Sequence, residues 1–232
     1  MNPEDHSKSS AVVPAVLAAV VGLVIGFGVA YAVKPSSSDT QTASSSPAAT
    51  APSTTTKAAD LRTLLGGLER EHVDLASQAT RDGFDGSPAF AAAAGQLDKN
   101  SNDIADAVGS VYGADARTKF YQIWNSHIGF FVNYTVAAKK GDKAGMDKAV
   151  TDLGGYEDAI SDFFSGANPN LPRDAVHQLI ETHVGLLKGA VDAYGAKDYA
   201  GSFAKEHDAN VQIGTIADTI SGAIVKQYPA KF

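Results

Sequence analysis

The chain contains no cysteine. That one absence excludes disulfides, thiolate metal sites, covalent c-type haem attachment and a lipid-modified cysteine. Methionine is almost as scarce, at two residues including the initiator, which argues against a thioether-rich copper(I) site. Basic residues are outnumbered, with 19 Lys and Arg against 26 Asp and Glu for a net charge of −7. No basic stripe is available to follow a phosphate backbone, so nucleic acid is excluded as a partner. Phosphate-binding loops, dinucleotide motifs and a nucleophile beside a base are also missing, so an enzyme is the less favoured class.

Charge is absent altogether from Ala11 to Val33. These 23 apolar residues span about 34 Å as a helix, against a hydrocarbon core of ~30 Å, and predict a transmembrane anchor after a short tail of residues 1–10. A cleaved signal peptide is the rival, because Ala30-Tyr31-Ala32 resembles a small-x-small cleavage site, but the run exceeds an ordinary signal core. Residues 34–57 are nearly all Ser, Thr, Pro and Ala, a composition that cannot bury a core and reads as a disordered stalk. Together these predict a single-pass membrane protein whose C-terminal domain is extracytoplasmic. Ala18, Gly22, Gly26 and Ala30 recur every four residues, so the Gly22/Gly26 face is a candidate for homodimer packing in the membrane.

From residue 58 to 232 the apolar residues repeat with helical spacing and no strand alternation, which predicts an all-α bundle of about six helices. The first helix is expected over about 58–80, with Leu61, Leu64, Leu65, Leu68, Leu75 and Ala79 inward. The second runs to about Tyr112, the third over about 114–140 to a stop at Lys139-Lys140-Gly141, and the fourth to about Ser165. Two prolines in 166–172 then break the chain, and two further helices divide near Gly195.

Aligning alternate helices exposes a repeat. His72, His127 and His183 lie 55 and 56 residues apart, each on an apolar stripe, which implies three repeated hairpins. Residues at equal distances from a hairpin turn share a level. Counting from Gly195 sets His207 opposite His183, counting from Gly141 sets Tyr156 or Glu157 opposite His127, and Asn100 or Ser101 falls level with His72. His72, His127, His183 and His207 are therefore the candidate metal ligands, with Asn100, Tyr156 and Glu157 as supporting polar groups. Neutral imidazole binds copper, zinc and iron, and bundle interiors commonly hold such ions. Two facing histidines also suit a b-type haem. A di-iron carboxylate centre lacks support, because only Glu69-x-x-His72 matches its Glu-x-x-His pattern. The alternative is a structural or sensory bundle that binds a small organic ligand or partner and uses the histidines as core hydrogen bonders.

Lys99-Asn-Ser-Asn-Asp-Ile-Ala-Asp-Ala-Val108, Ser165-Gly-Ala-Asn-Pro-Asn-Leu-Pro172 and the ending Ile224-Val-Lys-Gln-Tyr-Pro-Ala-Lys-Phe232 resemble a bacterial family of helical domains often labelled copper amine oxidase-like. The resemblance implies that the four histidines are the family's recurring ones and that a polar amide belongs where Tyr156 stands. It does not imply amine oxidation. That chemistry needs a tyrosine-derived quinone beside a three-histidine copper on a β-rich scaffold.

Overall fold

The computed structural model describes residues 55–232. The expected anchor, its Gly22/Gly26 face and all but the last residues of the stalk lie outside them. Among the described residues no helix is long and apolar enough to cross a membrane.

Six helices follow one another: α1 (Lys57–Asp85), α2 (Phe90–Tyr112), α3 (Ala114–Lys140), α4 (Lys143–Ala167), α5 (Arg173–Gly195) and α6 (Tyr199–Gln227). Their ends follow the local chemistry. Thr56 Oγ1 accepts the Ala59 N–H at the start of α1. Asp142 and Asp198 cap α4 and α6 by accepting the Gly145 and Gly201 N–H groups. Gly86 and Gly141 close α1 and α3 at φ of 73° and 67°, a left-handed conformation that disfavours residues with a Cβ. Helix α1 continues five residues past the predicted Thr80, because Asp82, Gly83, Phe84 and Asp85 remain helical until Gly86. Leu64 also departs from the expected stripe and is 49% exposed. Glu69 and His72 of the same helix are both buried.

Consecutive helices pack as three hairpins, α1–α2, α3–α4 and α5–α6, and the ring closes through α1 against α6. The odd-numbered helices also meet one another, α1 with α3, α1 with α5 and α3 with α5. The first helix of each hairpin thus faces the middle, which is why a residue repeated at this spacing arrives there three times. The repeat extends to the surface. Arg117 Nε donates to Asp106 with Nη2 to Asn102, while Arg173, 56 residues on, donates in the same way to Asp162 and Asp158.

The main core holds Val73, Ile104, Phe120, Leu153, Ile160, Ile213 and their neighbours from all six helices. Completely burying one such side chain contributes on the order of 1.5–3 kcal/mol. At one end of the bundle, fully buried Asn168 donates to Tyr112 Oη (3.0 Å) and accepts the Asn170 N–H (2.9 Å), while Gln227 Nε2 donates to the Ala167 carbonyl (2.9 Å). Two of the segments that carry the family resemblance, 165–172 and 224–232, therefore meet in a structural polar network.

Candidate functional site

Three histidines converge between α1, α3 and α5. His72 is 1% exposed, His127 5% and His183 8%. The Nε2 atoms of His72 and His127 face each other at 3.3 Å. Together with His183, Glu69, Trp124 and Tyr156 they enclose a cavity of about 20 Å³, room for one water or ion and far too little for a haem macrocycle. Trp124 lies 4.8 Å from the His72 ring, and Tyr156 stacks on His127 at 4.5 Å and 26°.

The proton positions follow from the partners. His127 Nδ1 meets the Trp124 carbonyl, which can only accept, so Nδ1 carries the proton and Nε2 is the acceptor facing the His72 Nε2–H. Gln212 Nε2 donates to the Leu179 carbonyl at 2.7 Å, which turns Gln212 Oε1 toward His183 Nδ1 at 3.0 Å. His183 is therefore also protonated on Nδ1, and its buried Nε2 has no hydrogen-bond partner. His72 Nδ1 and Glu69 Oε2 are likewise buried without partners.

Burial also sets the charge. Desolvation lowers His127 to about 3 and His183 to about 4, and it takes His72 well below its ordinary value, helped by the other two histidines. Desolvation raises the Glu69 carboxyl to about 8. Tyr156 is held well above its ordinary value by burial and then by Glu69 and Glu157. At neutral pH the cluster is three neutral imidazoles and a largely protonated acid.

His207, expected opposite His183, is instead exposed on the outward stripe of α6 with Tyr199, Phe203 and Val211. The third hairpin turns through Ala196, Lys197 and Asp198 rather than about Gly195, so the residue facing His183 is Gln212. Those five positions along α6 correspond to about 7.5 Å of rise and ~140° of rotation. Asn100 and Ser101 are buried near the expected level but spend their hydrogen bonds elsewhere. Asn100 donates to the Leu68 carbonyl and to Glu71, and Ser101 donates to the Leu97 carbonyl. Tyr156 does lie against His127, whereas half-buried Glu157 interacts with His177 and Glu181 away from the cavity.

Glu69 and Gln212 were not among the predicted site residues. A signal for Glu69 was present, since it sits three residues before His72 on a stripe otherwise built from Leu61, Leu65 and Val73. Gln212 had none, because its place depends on the turn.

Among the described residues, no group of three or more histidine, aspartate or glutamate side chains stands close enough, as placed, to hold one ion. Compared with known protein families, curated proteins and solved structures, the chain matches none.

Proposed function

We propose that this domain binds a divalent transition metal ion through His72, His127 and His183, with Glu69 as a fourth donor. The observation that carries the reading is the pair of fixed tautomers. The Trp124 carbonyl and Gln212 hold the Nδ1–H groups of His127 and His183, so each buried Nε2 carries a lone pair, that of His183 without a hydrogen-bond partner and that of His127 facing His72 Nε2. Histidine ligands ordinarily carry such a partner on their second nitrogen.

The fit of the residues to an ion rests on the orphaned atoms. Leaving a buried polar group unpaired costs about 1–3 kcal/mol, and the His183 Nε2 and Glu69 Oε2 both stand in that condition. Two nitrogens bound at about 2 Å to one tetrahedral ion lie roughly 3.3 Å apart, the separation found between His72 and His127. His183 and Glu69 line the same cavity and would have to move inward to complete the set. Three imidazoles and a carboxylate suit a borderline ion such as zinc or copper(II). We read the chain as a membrane-anchored protein that displays this site outside the cytoplasm, on the strength of the apolar run at 11–33 and the stalk composition.

The test is titration of the metal-free chain with zinc and copper(II). His127→Phe and His183→Phe keep bulk and helicity while removing a donor, so each should lower affinity by at least about a hundredfold. His207→Ala should leave it unchanged. Equal affinity in the two phenylalanine variants, with helical circular dichroism retained, would overturn the assignment.

A further inference from the structure

A second and much larger cavity, about 280 Å³, opens beside the histidine cluster between α1, α2, α3, α5 and α6. His72 and His127 form part of its wall. Small side chains create the space, notably Ala76 and Ala79 of α1 and Ala190 of α5, where larger residues would have closed the core. Phe131, Leu187 and Val191 make the opposing surface apolar.

Two features define what the cavity accepts. The first is charge. Arg81 and Asp82 both line it, but each is already occupied. Arg81 Nη1 donates to Glu206 at 2.5 Å, with both side chains less than 20% exposed, and the Arg81 guanidinium lies over the Phe203 ring. Asp82 accepts from Gln78 Nε2 at 2.9 Å. Gln78 is neutral, so the lining keeps one carboxylate but no unpaired cation, and an anion entering this apolar space would be desolvated without compensation. The second is polarity at one point. Ser77 lines the cavity, is 5% exposed, and its Oγ has no hydrogen-bond partner. A buried hydroxyl without a partner is uncommon in a finished core and is what a ligand's polar group would satisfy.

Size narrows the class further. An apolar cavity of about 150 Å³ takes benzene, so about 280 Å³ suits a molecule of roughly twice that bulk, on the order of ten non-hydrogen atoms. We propose that this cavity binds a neutral, largely apolar organic molecule of that size, a two-ring aromatic or its equivalent, whose single polar group hydrogen-bonds Ser77 Oγ. The site goes beyond the metal reading and does not depend on it, since Ser77 and the apolar wall residues are not among the proposed metal donors.

The experiment uses the full chain in lipid nanodiscs with a strong chelator present, titrated calorimetrically with 2-naphthol and corrected against empty nanodiscs. One molecule should bind per chain with a dissociation constant on the order of micromolar. Naphthalene-2-sulfonate, similar in shape but ionic, should bind at least about tenfold more weakly. Ser77→Ala should weaken 2-naphthol by about fivefold, the loss of one hydrogen bond. Ala190→Leu fills the space and should reduce affinity by at least about fiftyfold while zinc binding persists. If Ala190→Leu fails to fold, Ala76→Leu at the half-buried wall makes the same test. Absence of saturable binding, equal affinity for the sulfonate, or unchanged affinity in a folded cavity-filled variant would each overturn the proposal. Because the chelator removes metal, failure here leaves the metal reading standing, and loss of metal binding alone leaves this one standing.

Discussion

Replacing Glu69 by glutamine removes the acid buried among the three histidines and should change how stability depends on pH. In the folded chain, desolvation raises this carboxyl from its ordinary 4.5 to about 8. A group whose folded pKa is raised favours the fold fully below its unfolded value, and that contribution is lost as pH rises through the folded one. Between pH 4.5 and 8 the unfolded chain has released this proton while the folded chain holds it. The slope is about −1.4 kcal/mol per pH unit, or about 2 kcal/mol from pH 6.5 to 8. The histidines carry the opposite sign. Held at about 3 for His127, about 4 for His183 and well below 6.5 for His72, they favour the fold above pH 6.5 and lose that contribution as pH falls. Stability of the metal-free chain should therefore peak near pH 6.5. Trp124 is the sole tryptophan and is 5% exposed, so urea unfolding followed by its fluorescence reports the cluster directly. Glu157, whose carboxyl burial also raises, is present in both chains, so the difference between them isolates Glu69. Between pH 6.5 and 8 the unaltered chain should lose about 2 kcal/mol relative to Glu69→Gln, whose own stability should rise slightly as the unfolded histidines release their protons. Parallel losses in the two chains would refute the assignment of a protonated Glu69.

Gln212→Leu should lower zinc or copper affinity by about 10- to 100-fold with helicity intact, because His183 loses the acceptor that fixes its tautomer; unchanged affinity in a direct titration would remove Gln212 from the site. Asn168→Ala should destabilise the fold by about 1–3 kcal/mol in urea titrations, since the Asn170 N–H loses its acceptor and Tyr112 Oη, which keeps Gln227, loses a donor. A cost below about 0.5 kcal/mol, the level of an ordinary surface change, would mean that water replaces the amide there.

The all-α class, the six helices and most of their limits were determined by the sequence by itself, because capping residues, glycines and apolar spacing act within a few residues of where they stand. The repeat was legible too, and with it the expectation that His72, His127 and His183 share a level. What only the tertiary structure decided was which side chains face one another. His207 and Gln212 differ by five positions on one helix, and a hairpin turn centred two to three residues later than Gly195 sends the histidine to solvent and the amide to His183. Rotation of about 100° per residue makes facing pairs that sensitive to the turn. Glu69 stands on the apolar stripe by its spacing, but only the closing of α3 and α5 over it buries it beside the histidines, and the large cavity exists only because alanines far apart in the chain are brought to the same wall. Helical segments follow from local chemistry, whereas a buried site is a coincidence of several helix rotations, each set by packing over the whole domain.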